Sequence, residues 1–124
     1  MKKLETTGRS PSMEYFDSFK TKNGVTRLPG FLFKEAHLSN VMITWVEMEP
    51  GSVLPEHSHA HEQISLVVQG RLELTVGGST RIMETGDVAI VPSNVVHSGK
   101  VLDVFTIAVD AWNPIREDYI APHS

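Results

Sequence analysis

The sequence contains no cysteine among its 124 residues, which excludes disulfides, thiolate metal sites and cysteine nucleophiles together. Positive charge is not in excess either. Lys and Arg number 11 against 15 Asp and Glu, a formal net charge of −4 with histidine neutral. Nucleic acid is therefore not an expected partner, because phosphate binding rests on clustered cations. Long apolar runs are also missing. The longest are broken by Asp103 and Asp110, far short of the roughly 20 residues that a membrane-spanning helix needs. The opening MKKLETTGRSPS is charged with no apolar stretch behind it, so no secretory signal is read there, and a cytoplasmic protein without a membrane role is expected. Sustained helical periodicity, internal repeats and low-complexity tracts are absent as well.

What is present is a series of short strands. Residues 1–24 are polar and mixed, and are read as an N-terminal arm with a short helical turn around residues 13–20. From Val25 onward, turn signals recur at Pro29-Gly30, Ser39-Asn40, Pro50-Gly51, Gln69-Gly70, Gly77-Gly78, Gly86-Asp87, Pro92-Ser93-Asn94 and Ser98-Gly99. Between them lie segments of Val, Ile, Leu and Thr. In 71–76, Leu72, Leu74 and Val76 alternate with Arg71, Glu73 and Thr75, the period-2 pattern of a half-buried strand. Gly77-Gly78 then closes a hairpin onto 79–83. Segments 41–49, 63–68, 88–91 and 101–109 also read as strands. Regularly spaced strands in so short a chain predict one all-β domain over 25–124, a sandwich or closed barrel, with a C-terminal segment over 110–124.

Three of the six histidines fall within Pro55-Glu56-His57-Ser58-His59-Ala60-His61-Glu62-Gln63. In an extended strand His57 and His59 point to one face, and Gln63 shares their parity. Two imidazoles on one wall can share a metal ion when a third group arrives from elsewhere, and His97 is the natural supplier. Without His97, an exposed polar strand explains the same three histidines equally well. His61 is a candidate accessory residue, while His37 and His123 have no assigned role.

The spacing Gly51-x5-His57-x-His59-x3-Gln63-x6-Gly70, followed by Gly86-x5-Pro92-x-Asn94-x2-His97, resembles the two motifs of the cupin superfamily. Three departures stand out: Gln63 replaces a glutamate, Asn94 occupies a position usually held by glycine, and Val101 stands in place of a terminal asparagine. The resemblance implies a double-stranded β-helix, or jelly-roll barrel, in which His57, His59, Gln63 and His97 hold a divalent transition metal. Zinc, nickel, manganese and iron all suit such nitrogen and oxygen ligands. Gln63 would leave this shell neutral, so the metal would keep its full charge and act as a stronger Lewis acid. That favours redox-neutral chemistry on an anionic small molecule.

Asp110 and Trp112 share a face in an extended chain, and Asn113-Pro114 then turns the chain towards Arg116. An acid, an aromatic surface and a guanidinium suit a sugar-acid site. Equally, Trp112 can plug the barrel end while Arg116 pairs with Glu117 or Asp118. His59-x-His61-Glu62-Gln63 together with Asp110-x-Trp112-x-Pro114-x-Arg116-x-Asp118 resembles the small pectin-degradation cupins of the KdgF type, which carry phenylalanine where Trp112 stands. This resemblance implies an isomerase- or lyase-type enzyme that converts a 4,5-unsaturated uronate to its linear keto form. Asp110 and Arg116 would act on the substrate and Trp112 would line the pocket. The alternatives are a cupin dioxygenase, which would need iron and oxygen, a polyketide-cyclase-like cupin, and an anion-binding module without turnover. Small cupins often pair, and a homodimer is expected, with the arm covering an edge strand of its partner.

Overall fold

The computed structural model describes residues 15–120. Its ten strands are β1 (Val25–Leu28), β2 (Phe31–His37), β3 (Met42–Met48), β4 (Val53–His57), β5 (Glu62–Gln69), β6 (Leu72–Val76), β7 (Ser79–Met83), β8 (Val88–Val91), β9 (His97–Val101) and β10 (Thr106–Asn113). They form a six-stranded sheet ordered β1-β2-β3-β10-β5-β8 and a four-stranded sheet ordered β4-β9-β6-β7. Every pairing is antiparallel. The two sheets form a jelly roll, the all-β class that the strand spacing predicts. Helical structure among the described residues is confined to the one-turn 3-10 segments Phe19–Thr21 and Glu117–Tyr119. No helix there is long and apolar enough to cross a membrane.

Period-2 alternation decides what each strand turns inward. Phe31 and Phe33 of β2, Val46 and Met48 of β3, Val67 of β5, Leu72 and Leu74 of β6 and Val101 of β9 close one apolar core. Burying each such side chain contributes about 1.5–3 kcal/mol relative to leaving it exposed. The inward rows of β3, β10 and β5 change character along the strands. Val46, Ala108 and Val67 are neighbours across the sheet, then Thr44, Asp110 and Ser65, then Met42, Trp112 and Gln63. The barrel interior thus passes from apolar core to a buried polar layer, and from there to the histidine end.

The structure departs from the sequence expectation in three places. Segment 101–109 is not one strand. Chain 102–105 crosses from the four-stranded to the six-stranded sheet, so β9 ends at Val101 and β10 begins at Thr106. Exposed Asp103 marks this crossing and pairs with Arg71. Secondly, β4 stops at His57, leaving His59 on the loop before β5. Thirdly, the helical turn near the N-terminus is the shorter segment Phe19–Thr21, and the part of the expected turn before residue 15 lies outside the described residues. From Phe19 to Lys22 the chain lies on its own domain: the Phe19 ring packs 5.8 Å from that of Trp45, and Lys34 Nζ donates to the Phe19 carbonyl.

Candidate metal centre

His57 ends β4 and His97 begins β9, where the two residues are direct cross-strand partners with ring centroids 4.1 Å apart. His59 reaches them from the loop, its centroid 4.7 Å from that of His97. The loop is held by the Asn94 N–H, which donates to the His59 carbonyl at 2.7 Å. Asn94 is the one non-glycine residue with positive φ among the described residues, at 66°. Asparagine tolerates this left-handed conformation better than most side chains do, which accounts for its standing where a glycine is usual.

The backbone decides which nitrogen each imidazole presents. His57 Nδ1 lies 2.8 Å from the Pro55 carbonyl, His59 Nδ1 2.9 Å from the His61 carbonyl, and His97 Nδ1 2.9 Å from the Val95 carbonyl. A carbonyl oxygen only accepts, so each Nδ1 carries the proton and each Nε2 bears a lone pair. Burial also holds His59 and His97 below the ordinary histidine pKa, despite these hydrogen bonds, and so favours the neutral rings. One ligand atom from each of His57, His59 and His97 lies within 4.8 Å of the others, and this is the one such cluster among the described residues. His97 is 2% exposed, and its Nε2 is buried with no hydrogen-bond partner. Three converging lone pairs, that of His97 buried without a partner, suit a cation, so the donor set fits a metal ion.

Gln63 completes the group. Its Oε1 lies 3.1 Å from His59 Nε2, and its Nε2 donates to Ser65 Oγ at 3.0 Å. Ser65 Oγ in turn donates to Asp110 Oδ1 at 2.6 Å. On the other side, Trp112 Nε1 donates to Thr44 Oγ1 at 3.0 Å, and the Thr44 hydroxyl bonds to Asp110. Burial pushes the Asp110 carboxyl up to about 6, against the lowering effect of its bonds to Ser65, Gln63 and Thr44 and of the Arg116 charge.

The paired faces predicted for β10 are observed: Asp110 and Trp112 both point inward, at 8% and 3% exposure. Together with His57, Gln63, Ser65 and His97 they line an interior cavity of about 60 Å³. Beside it, sharing His57, Leu54, Phe33 and Tyr119, opens a groove of about 480 Å³ that reaches Arg27. The first is lined by the His57 and His97 imidazoles, the Gln63 amide and the Asp110 carboxyl; the second has the size of a small-ligand site and meets the first at His57.

Arg116 makes the pairing with Asp118 that the second alternative foresaw, but its side chain is only 13% exposed. Its Nε and Nη2 clasp the two carboxylate oxygens of Asp118 at 3.1 and 2.8 Å. The guanidinium lies 4.8 Å from the Trp112 ring centroid and 4.1 Å from that of Tyr119, with Nη1 buried and unpartnered. The His61 ring is 5.7 Å from His59 and 6.4 Å from Trp112, and its carbonyl orients His59. His37 pairs with Glu35 on β2, and His123 lies outside the described residues.

Sequence reasoning missed Ser65, Thr44 and Tyr119. Ser65 shares the inward parity of Gln63, so alternation alone could have marked it. Tyr119 meets Arg27 across 92 positions, where the Arg27 guanidinium donates to the Asp118 and Tyr119 carbonyls, and no local signal announces that contact.

Residues 44–103 match the family model for the cupin domain. The pectin degradation protein KdgF of Dickeya dadantii (strain 3937) is 29% identical over 82 residues, covering 65% of this chain and 74% of that protein. The structure of KdgF from a Halomonas species superposes with a TM-score of 0.82 at 28% identity, over 87% of this chain and 100% of that one. An RmlC-like cupin from Shewanella frigidimarina gives 0.81 at 25% identity, over 87% and 97%. With its jelly roll and the two histidine motifs, the chain has the cupin fold, matches the cupin-domain model over 44–103 and is similar to the KdgF type.

Proposed function

We propose that this protein is a metal-dependent enzyme acting on a sugar acid, and that it opens and tautomerises a 4,5-unsaturated uronate to its linear keto form. The observation that carries the reading is the convergence of three imidazole lone pairs and the Gln63 carbonyl beside the single carboxyl of the cavity wall, Asp110. Similarity to a pectin degradation protein supplies the substrate class.

His57, His59, Gln63 and His97 would hold a divalent metal, which supplies Lewis acidity towards a substrate oxygen when bound. The remaining work falls to the chain itself. Asp110 faces the cavity and takes the proton of the anomeric hydroxyl as the bond to the ring oxygen breaks. It returns a proton to the former alkene carbon as the enol becomes a ketone, so the reaction is an isomerisation with no oxidant. Trp112 walls the cavity. Arg116 places positive charge at the same end for the carboxylate, with Nη1 left over from its pairing with Asp118.

Incubation with an unsaturated uronate tests this directly. Metal-loaded protein should accelerate the loss of the enol chromophore without consuming oxygen, and a chelator should abolish the effect. No acceleration over buffer would overturn the reading, and oxygen uptake would favour a dioxygenase in its place.

A further inference from the structure

The buried polar layer carries an inference about a residue that does not touch the metal position. An amide, unlike a carboxylate, has two chemically different ends, and only its oxygen binds a cation. A glutamine in this position must therefore be oriented, a requirement that a glutamate would not impose. The donors and acceptors around Gln63 can be counted from the far end of the layer. The Trp112 indole nitrogen only donates, so Thr44 Oγ1 accepts from it, and the Thr44 proton is left for Asp110. Ser65 Oγ has a single proton, and it goes to Asp110 Oδ1 at 2.6 Å. Ser65 can then only accept from Gln63, and the group 3.0 Å away must be the amide NH2. The Gln63 oxygen is thereby turned to His59 Nε2, 3.1 Å away, where no hydrogen lies between two acceptors.

We infer that Ser65 is a positioning residue that selects the oxygen end of Gln63 for the metal, with Asp110 as the anchor of that selection. This rests on the metal-site reading above. The geometry leaves few alternatives. Ser65 is 4% exposed, so water does not compete for its hydroxyl, and it faces Asp110 directly across the β5–β10 pairing. Without the Ser65 hydroxyl, the Gln63 amide keeps only its bond to Asp110 and loses one of the two acceptors that distinguish its ends. Its NH2 then turns more readily to the His59 lone pair, an arrangement that satisfies both groups without a cation and so competes with metal binding.

The test is a double-mutant cycle read as Zn2+ affinity, by competition with a chromogenic chelator, with far-UV circular dichroism reporting the fold of each variant. Ser65→Ala should weaken Zn2+ binding by roughly 10–100-fold, the usual effect of removing a group that orients a ligand. In a Gln63→Ala background the same substitution should change affinity by less than about 2-fold, because there is no longer an amide to orient. Equal losses in the two backgrounds would show that Ser65 acts through the general packing of the barrel and would overturn the inference. So would unchanged affinity in Ser65→Ala. A wild-type chain that bound no Zn2+ would instead remove the metal reading itself, a result separate from the failure of uronate turnover.

Discussion

Asp110 is the residue whose surroundings depart furthest from what its sequence neighbours suggest. It sits between two hydroxyls on the inner wall with its carboxyl pushed up to about 6 by burial, and it is the proposed proton carrier. Asp110→Asn should lower uronate turnover by roughly 10²–10⁴-fold, the usual span for losing a general acid–base group; single-turnover loss of the enol chromophore reads this, and near wild-type rates would take Asp110 out of the chemistry. Asn94 makes a second prediction at this scale. Its φ of 66° is hostile to a β-branched side chain, so Asn94→Val should lower stability by about 1–2 kcal/mol in denaturant unfolding. Asn94→Gly should cost little. The three-histidine spacing, the Gln63 departure and the pairing of Asp110 with Trp112 were all legible in the sequence. The roles of Ser65 and Thr44 were not, because their significance lies in what the neighbouring strands place opposite them.

At the scale of elements, the site depends on how strands change sheets. His57 and His97 meet because β4 and β9 pair, although 40 positions separate them in the chain. The switch between sheets at 102–105 rests on Gly70, whose φ is +88° and where a Cβ would meet the Thr106 hydroxyl and lie 2.7 Å from the Phe105 carbonyl. Gly70→Ala should therefore destabilise by roughly 2–5 kcal/mol, combining left-handed backbone cost with overpacking, read as a fall in denaturation midpoint. Strand existence was readable from alternation for β6, from the Gly77-Gly78 turn for β7, and from turn punctuation around apolar segments for β3, β5 and β8. The merged reading of 101–109 failed because both strands are apolar, and an apolar run does not show where the chain leaves one sheet for the other.

For the whole molecule, the outer face of the six-stranded sheet sets the expectation. Ile43 and Ile64 flank Ala111, Ile64 pairs with Ile90, and Leu66 pairs with Val88. Ile64 and Ile90 are 49% and 70% exposed. Phe19 packs on Trp45 at one side of this face, and among the described residues Ile64, Val88 and Ile90 on the β5–β8 side are exposed. An apolar sheet face of this kind can meet a second copy of itself about a two-fold axis, and we propose that a second copy of the chain covers it. Sedimentation equilibrium should give a dimer that Ile90→Glu converts to monomer; a monomeric wild type would remove the proposal. The proposed metal binding would act at the same scale. Ligand at about 100 times its dissociation constant adds about 2.7 kcal/mol, a rise in melting temperature on the order of 10 °C for a domain of this size. A chelator should reverse it in a thermal scan.

The missing cysteines, the clustered histidines and the regular turns pointed by themselves to an all-β domain whose candidate metal donors are nitrogen and oxygen, because ligand chemistry and strand period are both local properties. Which imidazole nitrogen faces inward, which end of Gln63 follows it, and whether Arg116 is free or clasped were decided only by the tertiary structure. Each depends on a hydrogen-bond partner: carbonyls at Pro55, His61 and Val95, a hydroxyl from β5, a carboxylate two residues on. A side chain's chemical type is written in the sequence. The direction in which it presents its lone pairs is set by what the fold leaves beside it.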